Sequence, residues 1–131
     1  MLSYIKNAFF AYLQGLGYNV SDNANYCSED FPRLLLRTDS ARVQHGRDFT
    51  TMDHRFIVDI FSTYNGEKEI LETVDNITAH LMEFMNDHSK IHYASLYSLR
   101  IIDDNESGPI RKHGVATFSF SVAQGAMINE D

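Results

Sequence analysis

The segment from Asp53 to Met85 constrains the fold more than any other part of this chain. Asp53-His54-Arg55-Phe56-Ile57-Val58-Asp59-Ile60-Phe61 reads as a strand. Phe56, Val58 and Ile60 fall on one face, and Arg55, Ile57, Asp59 and Phe61 on the other. Ser62-Thr63-Tyr64-Asn65-Gly66 interrupts the run with turn chemistry. A helix is then expected from about Glu67 to Met85, because Ile70, Val74, Ile77, Leu81 and Met85 recur at steps of three and four residues, thickened by Leu71 and Phe84. Glu67 and Glu69 suit the positive end of its dipole, and His88 and Lys90 the negative end. A strand that feeds a helix of this kind needs a sheet for the helix to pack on. The unit is well specified as structure and contains almost no chemistry.

The remaining segments supply that sheet. Leu2, Ile5, Phe9, Tyr12, Leu13 and Leu16 form one face of an N-terminal helix that Gly15 and Gly17 end. Tyr18-Asn19-Val20 is a very short strand candidate, and the polar connection from Ser21 to Asp30 follows it. Phe31-Pro32 opens a strand through Arg37, with Leu34 and Leu36 inward and Arg33, Leu35 and Arg37 outward. Thr38 to Met52 reads as a hairpin or mobile loop turning at Gly46. Further strands are expected at Ser95–Ile102 and Val115–Val122. In the second, Ala116, Phe118, Phe120 and Val122 alternate with polar residues. The order is α+β: a mostly antiparallel sheet of four or five strands with two helices packed on it. Residues 1–131 form a single domain in this reading, with 123–131 a loose tail.

Composition narrows the function. A chain of 131 residues with 44% hydrophobic content builds one real core. A net charge of −7 argues against a general nucleic-acid binder, which needs a basic face. Cys27 is the single cysteine, so no intrachain disulfide forms, which fits a reducing compartment. Glu29 and Asp30 beside it disfavour a thiolate, and an inert role is expected. Lys6, Asn7 and Gln14 interrupt the N-terminal apolar stretch, so a signal peptide is not expected, and nothing approaches the roughly 20 apolar residues of a membrane span.

Candidate chemistry is thin. His88 and His92 have metal-pair spacing but lie where the helix should be ending, with no third ligand nearby. Asp103, Asp104 and Glu106 read as a solvated turn. No phosphate loop or nucleophile elbow occurs. Asp59 is a charge inside a strand, and a pairing with Arg55 on the same face or with a neighbouring subunit is one reading of it. Arg42, His45 and Arg47, with Arg33 and Arg37 upstream and Arg111, Lys112 and His113 downstream, could make one positive rim. That rim would contact phosphate, join subunits or serve solubility.

The layout as a whole resembles the tail terminators, or tail-to-head joining proteins, of long-tailed phages and prophages. The resemblance runs through the N-terminal helix, Phe31-Pro32-Arg33-Leu34-Leu35-Leu36, Phe56-Ile57-Val58-Asp59-Ile60-Phe61, the Asn65-Gly66 turn, the helix carrying Ile70, Val74, Ile77 and Leu81, and the closing strand Gly114 to Val122. It implies a non-enzymatic virion subunit without catalytic residues, metal or cofactor. Such a subunit forms a ring, typically a hexamer, at the head-proximal end of the tail tube after assembly in the host cytoplasm. It touches the tail-tube protein and a head-completion or connector protein, and DNA passes through without specific binding. Arg55, Ile57, Asp59 and Phe61 are then the expected subunit interface. The loops Thr38–Met52 and Asp103–His113, through Arg42, His45, Arg47, Asp104, Arg111 and Lys112, are the expected partner contacts. Two other readings stand beside it: another head–tail connector or tube-like morphogenesis subunit, and a small α+β enzyme or ligand-binding domain with a polar-lined pocket.

Overall fold

A computed structural model describes residues 2–22, 32–45, 50–63, 67–103 and 112–123. The expected segments Phe31, Gly46, the Asn65-Gly66 turn and the tail beyond residue 123 lie outside these residues, as does Cys27. The order is α1 (Leu2–Gly15), β1 (Asn19–Ser21), β2 (Arg33–His45), β3 (Thr50–Ser62), α2 (Lys68–Ala79), α3 (Leu81–Asp87), β4 (Ile91–Asp103) and β5 (Lys112–Ala123). The five strands form one sheet in the order β1-β2-β3-β5-β4. β1 runs parallel to β2, and every other pairing is antiparallel. The fold is α+β, as the segment order requires.

The helices cover one face of the sheet. Ile5, Phe9 and Leu13 of α1 are fully buried, as are Ile70 and Ile77 of α2. They close over Leu34 and Leu36 of β2, Phe56, Val58 and Ile60 of β3, and Ala116, Phe118, Phe120 and Val122 of β5. Phe9 is the hub. Its ring lies 4.8 Å from Phe120, 5.4 Å from Phe118 and 6.1 Å from Phe84, in tilted or edge-on arrangements that suit the aromatic quadrupole. Gly114 lets α2 approach the sheet, since a Cβ there would stand 2.6 Å from Ile70 Cγ2. Gly17 takes φ of 95°, the left-handed conformation that ends α1 cheaply.

The four long strands and the second helix differ in extent from the sequence reading. The strands β2 and β4 are longer than expected, each spanning thirteen residues. β2 runs on through Thr38–His45 and pairs with Thr50–Phe56, so of the two readings of Thr38–Met52 the described residues follow the hairpin. His92 belongs to β4, and the helix ends at Asp87 with His88 as its cap, so the His88/His92 pair does not share a helix. The helix expected from Glu67 to Met85 is broken at His80. Neither glycine nor proline causes the break. The Tyr12 hydroxyl donates to the Ile77 carbonyl at 2.6 Å, and His80 Nδ1 lies 3.0 Å from the Asn76 carbonyl. Both side chains compete for carbonyls that a continuous helix would use for its own i+4 amides.

Candidate functional site

Side chains alternate across a strand, so burying Phe56, Val58 and Ile60 under the helices sends Arg55, Ile57, Asp59 and Phe61 to the opposite face. Register adds Arg33, Leu35 and Arg37 from β2, and His113, Val115 and Thr117 from β5, to that same face. No described helix covers it. Ile57, Phe61, Leu35 and Val115 are half-buried there, and Tyr93, Tyr97 and Ile102 of β4 are exposed. The result is a broad face that mixes aliphatic, aromatic and charged groups.

Asp59 sits at the middle of this face and is only 2% exposed. It accepts from Arg37 Nε at 2.5 Å and Nη2 at 3.2 Å, a bidentate geometry, and lies 2.8 Å from His113 Nε2. Burial alone would push the Asp59 carboxyl up. The hydrogen bonds from His113 and Arg37 outweigh burial and hold it below the usual carboxylate range. Arg55 does not pair with Asp59, contrary to the sequence expectation. Its guanidinium instead lies 3.8 Å from the Tyr97 ring centre. Four residues along a strand span about 13 Å, whereas neighbouring strands lie about 5 Å apart, so Asp59 finds its partners sideways. Phe61 stacks on His113 at 4.5 Å, and the Arg33 guanidinium lies 5.1 Å from the Phe61 centroid.

Among the described residues the expected single positive rim does not form. Lys112 and His113 oppose Ser62 and Phe61 at one end of β3, whereas Arg42 and His45 oppose Asp53 and Thr50 near the other. Strand direction separates the two groups by roughly ten residues of β3, on the order of 30 Å. Lys112 is no loop residue either: it lies within β5 and forms an ion pair with Asp103 across the ladder to β4. Arg42 and His45 are exposed on the β2–β3 hairpin. Arg47, Asp104 and Arg111 lie outside the described residues.

The described residues line two concavities, one of them on the opposite side of the sheet. One, on the hairpin, is lined by Ser40, Ala41, Arg42, Gln44, Asp53 and Arg55, with Gln44 Nε2 donating to Asp53 Oδ2 at 2.7 Å. The other is a groove of about 350 Å³ on the helix side, between α1 and α3. Asp59 and His113 line neither. Among the described residues no group of three or more His, Cys, Asp or Glu side chains could hold a metal ion, and no helix is long and apolar enough to cross a membrane.

Sequence reasoning placed Arg55, Ile57, Asp59 and Phe61 on one face but missed Arg37 and His113 as partners of Asp59 and Tyr97 as the partner of Arg55. The outward placement of Arg37 was a usable signal. The His113 contact depends on the β3–β5 register, which no local pattern encodes. No protein-family model matches the chain, and no curated protein matches it significantly.

Proposed function

We propose that this chain is a structural, non-enzymatic subunit that assembles with copies of itself through the open sheet face, in the manner of a phage tail terminator. The observation that carries this reading is that face. The described helices lie on one side of the sheet, and the other carries half-buried Leu35, Ile57, Phe61 and Val115 and exposed Tyr93, Tyr97 and Ile102 around a charge cluster whose groups are already paired, a mixed surface of the kind that a second subunit covers. A ring at the head-proximal end of a tail tube, in contact with tube protein and a head-side connector, fits the resemblance of the whole layout. A different head–tail connector would use the same face.

Native mass spectrometry over rising concentration tests self-association, and Ile57→Asp should abolish it without unfolding the protomer. Adding the protein to a terminator-deficient phage lysate tests the specific role. Restored joining of heads to tails is the expected result. Failure to associate with tube protein under any condition would count decisively against it.

The Asp59–His113 pair invites an acid–base reading as a second possibility. The partners of His113 among the described residues are the Asp59 carboxylate and the Phe61 ring, and neither is a nucleophile to activate. Arg37 also occupies both oxygens' side of the carboxylate. The cluster therefore reads better as a clamp between β2, β3 and β5.

A further inference from the structure

We infer that the open sheet face of one copy seats on the outer surface of α2 and α3 of the next, a head-to-tail contact that rests on the self-assembly reading above. Register decides the charge of that face. Arg33, Arg37 and Arg42 of β2, Arg55 of β3 and Arg100 of β4 share it, because Arg37 opposes Ile57, Arg42 opposes Asp53 and Arg100 opposes Val115. Five of the seven arginines in the chain thus stand on one side of the sheet. Asp53 and Asp59 share the face in register, and Asp39 lies at the β2 bulge. Asp59 is buried and already bound by Arg37. The face is therefore basic in a chain whose net charge is −7.

A face of this kind pairs poorly with itself. Two copies related by a twofold axis would set the arginines of one against those of the other, and like charges brought together across an interface oppose association. The helix layer offers the opposite charge. Glu67, Glu72, Asp75, Glu83 and Asp87 are exposed there, whereas Lys68 is the only lysine or arginine between residues 67 and 87. Among these carboxylates Leu71 is 43% exposed and Met82 64% exposed. Apolar groups set in an acidic surface thus match Leu35, Ile57, Tyr93 and Tyr97 set in a basic one. Covering the apolar groups drives the contact, and the charges choose its partner surface.

The open face also has a seat for a carboxylate. The recess lined by Ser40, Arg42, Asp53 and Arg55 opens on it. Gln44 already donates to Asp53, so the two guanidinium groups and the Ser40 hydroxyl are the donors that meet an incoming carboxylate. The two complementary surfaces lie on opposite sides of one protomer, since α2 packs through Ile70 against the other side of the sheet. Each contact therefore leaves one surface open at either end, the arrangement that closes into a ring when the rotation permits.

Association is read by sedimentation velocity and native mass spectrometry at matched concentrations. One variant reverses the face, Arg42→Glu with Arg100→Glu, and another the helix surface, Glu72→Lys with Asp75→Lys. All four positions are exposed, so circular dichroism and thermal melting should stay as in the parent chain. Each double reversal should raise the half-association concentration by about tenfold or more, and the chain carrying all four changes should recover most of the loss. Mixing Ile57→Asp, whose face is spoiled, with Glu72→Lys/Asp75→Lys, whose helix surface is spoiled, should give a heterodimer and nothing larger. A mixture that yields no heterodimer overturns the contact. If the face variants fail to assemble while Glu72→Lys/Asp75→Lys assembles like the parent, the face pairs with something else: this contact is wrong and the sheet-face reading survives. A parent chain that stays monomeric at every concentration overturns both.

Discussion

The two faces of the sheet are built from alternate residues of the same strands, yet they solve different problems. The helix side is apolar and interlocked: Phe9, Phe56, Phe84, Phe118 and Phe120 stack edge to face, and nearly every large side chain is fully buried. The open side holds its order through charge. Asp59 ties Arg37 to His113 across three strands, and two arginines lie over aromatic rings. Van der Waals packing fills the first face and leaves nothing over. Directional contacts fix the second while aliphatic groups remain between them, half-buried. The contrast places the tightly packed core on one side and leaves the other for the proposed assembly.

That division is open to direct attack. Phe118→Ala should be the most damaging change, removing about 3–5 kcal/mol in urea unfolding because it deletes a fully buried ring packed edge-on against Phe9. Little effect would mean the helix side is not the main core. Gly114→Ala should cost about 1–3 kcal/mol by forcing α2 off the sheet, with Ile70→Leu in the same chain, which removes the branched Cγ2 that the new Cβ would meet, recovering part of the loss. Asp59→Asn should cost about 1–2 kcal/mol at neutral pH, less than a core cavity, because the Arg37 side chain it abandons is half exposed and can rehydrate. It should also change the acid limb of the stability curve. The Asp59 carboxyl is held below its ordinary value in the folded state, so its contribution is complete above pH of about 4 and lost as pH falls through the folded value. The parent chain should therefore lose stability below that point more steeply than Asp59→Asn, as followed by melting temperature against pH. Arg55→Ala should be the mildest, under about 1 kcal/mol for an exposed cation–π contact over Tyr97. An effect of core size there would erase the contrast.

Much of the helix side was legible because its signals are periodic and local. The alternation from Ala116 to Val122 names its buried residues, and Ile5, Phe9 and Leu13 recur at helical spacing. The outward parity of Arg55 to Phe61 was legible for the same reason. Partners were not. Asp59 meets residues 22 and 54 positions away, and only strand order and register decide which charges become neighbours. The supposed basic rim failed on strand direction, since Arg42 and His45 lie towards one end of β2 while Arg33 and Arg37 lie with Lys112 and His113 of β5 towards the other. The helix break at His80 was invisible because Ile77 and Leu81 keep the apolar spacing straight through it. Its cause, Tyr12, comes from 65 positions away. His54 shows the limit in miniature: parity puts it with Phe56 on the buried side, but only the structure reveals that burial depresses its pKa and that Met52 Sδ lies 3.0 Å from Nε2.

The same interruption at His80 has a consequence for how the molecule breathes. A continuous helix would transmit any opening at its end back along the whole rod. Here Tyr12 of α1 bonds the Ile77 carbonyl in the last turn of α2 and lies 5.0 Å from the Phe84 ring of α3, and Tyr4 meets His88 just beyond α3 at 2.8 Å, so α3 is held to α1 by a ring contact and by its C-terminal cap. In native-state hydrogen exchange, α3 and α1 should then release their amides as one cooperative unit, on a timescale separate from α2.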